Sequence, residues 1–447
     1  MKRPKETTSA EVADEPKQAE ETLRQRWPWV EPMVWTERML EALARGVKGG
    51  QWFALIDKVY DPRNLRSAFG SVWRNRGGPG SDGQRLAQFE ARLGEELARL
   101  GEELREGRYE PQAVRRVYIP KPGSREKRPL GIPAVRDRVV QTAMRHVLEP
   151  IFEREFAPQS YGFRPGRGCK DALRQVDGLL KAGYTHVVDA DIKGYFDSIP
   201  HEKLMERVGE RVSDGRVLGL IEQMLKQGVM NELQQWEPTE QGTPQGAVIS
   251  PLLANIYLHP LDLLMQAEGW EMVRYADDFV ILCRTQAEAE AALQRIREWM
   301  EAAGLTLHPE KTRLVDLNER NQGFDFLGYH FRRGGKRWPR SKSVQKLRER
   351  LKPMSKRTNG ESLREIIRKL NATLRGWYGY FCHARNGSLQ KIDGWVRGRL
   401  RSILRKRCGK KGRGRGMDQH RWNNAYFARH GLFSLQETQT AAIQSRR

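Results

Sequence analysis

Apolar positions along this chain recur with two different periods, and the change between them divides it. Residues 186–192, His-Val-Val-Asp-Ala-Asp-Ile, alternate with period two and predict a strand ending in Asp191, followed by a turn at Gly194. Met272-Val273-Arg274 and Phe279-Val280-Ile281-Leu282 predict two more short strands rich in β-branched and aromatic residues, and residues 112–120 alternate as another. Helical spacing predicts helices over 134–155 and 169–181, mainly helical stretches at 201–233 and 248–267, and an amphipathic helix over 285–303. Upstream, a helical rhythm (Trp35, Met39, Leu40, Leu43, Ala44) stops at Gly46 and Gly49-Gly50. A second helix starts near Asn64, and a polar one covers 87–107 with Leu93, Leu97 and Leu100 on one stripe. From about Ser341 the pattern is helical throughout. Leu363, Ile366, Ile367, Leu370 and Leu374 form one stripe opposite Arg364, Arg368 and Lys369, and Ile392, Val396, Leu400 and Leu404 form another. Residues 1–25 are charged and poor in aromatic and β-branched residues, a composition that predicts disorder.

Between the second and third strands lies Tyr275-Ala276-Asp277-Asp278, a tight turn with two adjacent carboxylates. Such neighbours repel each other and gain little unless a cation neutralises them. Mg²⁺ favours carboxylate oxygens and shares its shell with substrate phosphates. A solvated turn whose acids merely solubilise a hairpin is the alternative. Asp191 shifts the balance, because two-metal phosphoryl transfer needs carboxylates from more than one element, converging on ions about 3.5–4 Å apart. Asp189, two residues earlier, shares a strand face with Asp191 and is expected to support it rather than bind metal.

Several further blocks occur in a fixed order: Asp-Pro-Arg-Asn-Leu (61–65), Gly-Gly-Pro-Gly-Ser-Asp-Gly (77–83), Tyr-Ile-Pro-Lys-Pro (118–122), Lys-Arg-Pro-Leu-Gly-Ile-Pro-Ala-Val-Arg-Asp-Arg (127–138) and Ser-Tyr-Gly-Phe-Arg-Pro-Gly-Arg-Gly (160–168). Gly-Thr-Pro-Gln-Gly-Ala-Val-Ile-Ser-Pro-Leu-Leu-Ala-Asn-Ile (242–256) precedes the acidic turn, and Gly-Phe-Asp-Phe-Leu-Gly-Tyr (323–329) follows it. With Tyr-Ala-Asp-Asp, this series resembles the reverse transcriptases and maturases encoded by bacterial group II introns, from about residue 30 onward. The resemblance implies an α+β right-hand polymerase: fingers and palm with a central antiparallel sheet flanked by helices, plus an all-helical thumb or maturase domain. It implies two Mg²⁺ ions held by Asp191, the Ile192 carbonyl, Asp277 and Asp278. Phe196 would crowd the sugar 2′ position, with a core aromatic as the plainer reading. Gln245 and Gly246 would lie against the nascent base pair, where glycine permits close backbone approach. Lys121 and Arg128 would grip the triphosphate of an incoming dNTP, and Lys311 is a weaker candidate for the primer or nucleotide region.

Charge sharpens the division of the chain. Of the net +23, residues 331–447 carry +26, with 32 Lys and Arg against 6 Asp and Glu, which leaves the first 330 residues slightly acidic. So one-sided a block predicts a polyanion-binding surface. Arg364, Arg368, Lys369, Arg405, Lys406, Lys410 and Lys411 are its candidate RNA contacts, and exposed members of an aromatic set (Trp338, Trp377, Tyr378, Tyr380, Phe381, Trp395, Trp422, Tyr426, Phe427) would stack on unpaired bases. The expected division is an N-terminal extension (1–50), fingers and palm (51–335), a helical thumb or maturase domain (336–407), then a basic linker and a small C-terminal DNA-binding region (408–447). No apolar run approaches the roughly 18 residues of a membrane span. Cys169, Cys283, Cys382 and Cys408 lack paired spacing, which argues against structural zinc and for a reducing cytoplasm.

The expectation is thus an RNA-dependent DNA polymerase of the bacterial cytoplasm, associated with the nucleoid during mobility. Its partners would be a group II intron RNA, a DNA target and primer, and dNTPs, with no membrane. The chain carries no paired cysteines and histidines of an HNH nuclease, which predicts priming from existing 3′ ends. Three rivals stand beside this: a domesticated polymerase without its own intron, an RNA-binding splicing factor with a relic site, and a two-metal nuclease.

Overall fold

The computed structural model describes residues 23–47, 49–120, 127–412 and 416–445. The expected disorder of 1–25 falls almost wholly outside that range. In chain order the strands are β1 (Val114–Pro120), β2 (Lys127–Ile132), β3 (His186–Asp191), β4 (Val229–Met230), β5 (Trp236–Glu237), β6 (Glu271–Tyr275), β7 (Asp278–Cys283), β8 (Arg313–Asp316), β9 (Phe324–Phe326), β10 (Tyr329–Arg332) and β11 (Lys336–Pro339).

A four-stranded antiparallel sheet in the order β6-β7-β3-β8 forms the centre, and its alternation feeds two cores. Val188, Ala190, Met272, Phe279 and Ile281 point into one, with side chains of the helices Ser250–Ala267 and Gln286–Ala302. Val187, Val273, Val280 and Leu282 point into the other, which the helix Cys169–Lys181 and the C-terminal helices fill. A sheet apolar on both faces must be covered on both, so this one is central. The fingers sheet has the order β2-β1-β4-β5, with β1 and β2 antiparallel and β1 and β4 parallel. A third sheet, β11-β10-β9, puts Phe324, Phe326, Tyr329 and Phe331 into the core that the central sheet shares with the C-terminal helices.

The helices end where the local residues allow. The mainly helical stretch expected at 201–233 holds two helices, His201–Gly209 and Gly215–Lys226, and then enters the β4–β5 hairpin. Asp214 caps the second by accepting from the Arg216 and Val217 amides. The polar helix at 87–107 breaks at Arg92 into Leu86–Ala91 and Leu93–Glu106.

Beyond β11 the helices Ser341–Met354, Leu363–Phe381 and Asn386–Arg407 pack through the predicted stripes. Three short helices follow, Met417–Arg421, Asn424–Arg429 and Leu435–Gln444, and Trp422, Phe427 and Leu435 are buried in the same core. Buried Asp393 accepts from the Ser434 hydroxyl and from the Leu435 and Gln436 amides. The C-terminal residues therefore join the helical core, and β10 pairs with β11 across residue 335. Among the described residues no helix is long and apolar enough to cross a membrane.

Candidate active site

The register of β3, β6 and β7 places the acids. Asp191 is the direct partner of Asp278, and Tyr275 pairs with Asp278 to close a hairpin whose two-residue tip is Ala276-Asp277. Ala276 takes a left-handed conformation (φ +59°), as the first tip position of such hairpins demands. Asp189, Asp191 and Asp278 therefore share one sheet face beside Asp277. Burial pushes the Asp278 carboxyl up to about 7, reinforced by repulsion from Asp189, Asp277 and Asp191. Asp277 is raised as well, by burial first and then by Asp191, with the Arg128 and Arg274 charges opposing. Arg128 is exposed on β2 yet its charge is felt at Asp277.

Cations answer two of these acids directly. The Lys311 ammonium donates to Asp191 at 2.5 Å, and Arg313 on β8 pairs with Asp189 at 3.1 Å. Asp189, expected to support rather than bind metal, thus pairs with Arg313, and Lys311, itself largely exposed, meets the Asp191 carboxylate. Among the described residues no three His, Cys, Asp or Glu side chains stand as a preformed metal-ligand set. The donors are nonetheless the hard oxygens that a divalent ion prefers, crowded enough that added positive charge relieves them.

Beneath the turn lies a network that sequence reasoning missed. Arg274, wholly buried, forks onto Asp262, with its Nε at 2.7 Å from Oδ1, and donates through Nη1 to the Asn255 side chain and to the Ala276 carbonyl, both at 2.9 Å. Asn255 donates to the Gly162 carbonyl at 2.8 Å. A Cβ added to Gly162 would sit 2.2 Å from the Ala276 amide, so only glycine fits against the turn. The one clue was a cation, Arg274, in an otherwise inward-facing strand.

The remaining candidates fall on the fingers side or outside the described residues. Phe196 is half-buried; its carbonyl accepts from the Thr243 amide at 2.6 Å, and its ring stands edge-on to Tyr195 and Phe163. The Gln245 carbonyl accepts from the Gly131 amide at 2.6 Å, and Gly246 (φ +109°) leaves no room for a Cβ against the Gly131 carbonyl. The close approach expected of Gly246 is therefore made to the fingers sheet. A cavity of about 450 Å³ opens beside it, lined by Arg116, Tyr118, Pro129, Gln241 and Gln245 among others. Ile192 is buried directly after β3 and bridged to Leu307. Lys121 lies outside the described residues.

In the cationic last quarter of the chain, several of the candidate contacts already have partners within the protein. Arg368 pairs with Glu365, and Lys369 with Glu361 and Glu365. Arg405 pairs with buried Asp418 and donates to the Lys411 carbonyl, which makes it a staple between helices. Arg364, Lys406, Lys410 and Lys411 are exposed. None of the nine tail aromatics is exposed; Phe381, Trp422 and Phe427 are buried, and arginines stack over Trp338 and Trp395. Helical packing claims the rings that composition alone offered to bases.

Residues 119–331 match the family described as reverse transcriptase (RNA-dependent DNA polymerase), and residues 344–422 match the group II intron maturase-specific domain. Protein YkfC of Escherichia coli (strain K12) is 36% identical over 325 residues, which cover 64% of this chain and 84% of YkfC. Group II intron-encoded protein LtrA of Lactococcus lactis subsp. cremoris is 44% identical over 168 residues, 38% of this chain but 28% of LtrA. Apo telomerase from Candida tropicalis aligns over 71% of this chain and 68% of its own at 12% identity and a TM-score of 0.43, too distant to add weight. Two domain matches in one chain, and a relative matched over most of its length, place this protein among the group II intron-encoded reverse transcriptases, RNA-directed DNA polymerases that carry a maturase domain.

Proposed function

We propose that the protein binds a group II intron RNA, assists its splicing and copies it into DNA during intron mobility, with nucleotidyl transfer at Asp191, Asp277 and Asp278. The observation that carries the chemistry is the pairing of Asp191 with Asp278 across β3 and β7, with Asp277 on the adjoining tip. Two Mg²⁺ ions, when bound, would lower the pKa of the primer 3′-hydroxyl and neutralise the leaving pyrophosphate. The three carboxylates and the Ile192 carbonyl would hold them. Asp191 would exchange its Lys311 contact for a metal contact, freeing the ammonium beside the incoming phosphates. Arg128, with Lys121, would grip the triphosphate; Phe196 would exclude a ribose 2′-hydroxyl, and Gln245 would touch the nascent pair. Residues 51–335 would form the polymerase, and the exposed cations of residues 336–447 would hold RNA phosphates.

Asp277→Ala or Asp191→Ala is expected to abolish RNA-templated primer extension and leave intron RNA binding largely intact. Loss of both activities together would make those acids structural and reject the assignment.

A further inference from the structure

Phe163 is placed as no packing argument requires. It takes a left-handed backbone (φ +59°), rare for a bulky side chain, and it remains 46% exposed, so core burial does not offset the strain. Its neighbours hold it there. Gly162 is wedged against the Ala276 amide and tied through its carbonyl to Asn255. Arg164, buried, forks onto Glu153 and donates to the carbonyls of Ala157 (2.6 Å) and Ser160 (2.8 Å). The conformation delivers the ring to one identifiable place. It meets Phe196 edge-to-face, with centroids 6.3 Å apart and planes at 76°, while Tyr195 stands on Phe196 at 5.6 Å.

We infer that Phe163 is a positioning residue for sugar selection: its ring fixes that of Phe196, and the pair sets the space left for a 2′ substituent on the incoming nucleotide. A lone half-buried ring can swing about χ1 and exclude a hydroxyl only softly, whereas an edge-on neighbour narrows that motion. The inference rests on the reading of Phe196 as the residue facing the sugar. It adds that the strained 160–164 segment, anchored on the catalytic turn itself, tunes that residue.

The test uses the full chain and compares single-nucleotide incorporation of rNTP and dNTP on an RNA template. Phe163→Gly should relax discrimination by about three- to tenfold, without loss of thermal stability, because glycine adopts this backbone freely. Phe163→Tyr should retain discrimination. Phe196→Ala should relax it further, and the double variant should match Phe196→Ala alone, since Phe163 acts through Phe196. An unchanged ratio in Phe163→Gly, when Phe196→Ala does relax it, overturns the inference alone. Equal losses of rNTP and dNTP incorporation in Phe163→Gly also overturn it. If Phe196→Ala leaves the ratio unchanged, the reading of Phe196 fails and takes this inference with it.

Discussion

Asp278 is the residue on which the acidic site turns, because burial and three neighbouring carboxylates all oppose its ionisation. Its carboxyl is pushed up to about 7, so toward lower pH it holds a proton that a divalent ion must displace. Mg²⁺ binding to the free protein should therefore weaken steadily as pH falls from about 8 to 6, with proton release visible by calorimetry in buffers of different ionisation heat. A pH-independent affinity would exclude Asp278 from the ligand set. Lys311 competes with the ion for the Asp191 oxygens. Both partners are partly exposed, which limits their pair to about 0.2–1 kcal/mol, so Lys311→Met should tighten Mg²⁺ binding by about two- to fivefold at most. Unchanged affinity on titration would show that the pair does not compete. Each acid was legible as a candidate from local spacing, a two-residue hairpin tip and a period-two strand, but the pairing of Asp191 with Asp278 that brings them together is not local. Phe163 was not, because its partner Phe196 lies 33 residues away, and Lys311, a weaker candidate from sequence, gave no sign of its partner Asp191, 120 residues away.

Among the elements, the central strands were readable and the lesser ones were not. β3, β6 and β7 are rich in branched and aromatic residues, whereas β2 contains proline and glycine, and β4 and β5 are two residues each. Pairing creates those minor strands; propensity does not announce them. The β6–β7 hairpin in turn depends on the helix Ser250–Ala267, which supplies Asp262 and Asn255 to Arg274. Asp262→Ala would leave a wholly buried guanidinium without its counter-ion, a loss of about 3–5 kcal/mol, read as a lowered midpoint in denaturant unfolding. A change below 1 kcal/mol would mean that the network is dispensable. In the fingers, Asp137 sits fully buried in the first turn of the helix Val135–Glu153, accepting from the Tyr109 hydroxyl (2.7 Å) and the Gln112 amide (3.0 Å). Burial raises its carboxyl to about 6 in spite of those bonds. An acid raised in the folded state contributes stability that is complete below its ordinary 3.8 and is lost as pH rises through about 6. Asp137→Asn should flatten that fall of about 3 kcal/mol between pH 4 and 6, as measured by unfolding across the window.

For the whole molecule, the positive charge is gathered in the last quarter of the chain, and some of those cations are held in ion pairs within it. Neutralising Arg364, Lys406, Lys410 and Lys411 together should weaken intron RNA binding and shallow its dependence on log salt by up to about 0.7 per cation removed, whereas Arg405→Ala should lower stability and leave the slope nearly unchanged. The same slope in both variants would refute the distinction. A glycine-rich stretch after Cys408 reads as a break, yet Trp422, Phe427 and Leu435 return the chain to the helical core. No local pattern encodes that return, because it depends on which distant surface remains uncovered. The two-faced central sheet has a consequence for recombination. One face belongs to the core that the C-terminal helices complete, and the other to the core of the fingers-side helices. A graft of the C-terminal helices from a relative must then bring compatible residues at Val187, Val273, Val280 and Leu282, far upstream of any cut at residue 335. The seam between interchangeable parts runs through the mid-plane of a single sheet, and a crossover chosen along the chain will miss it.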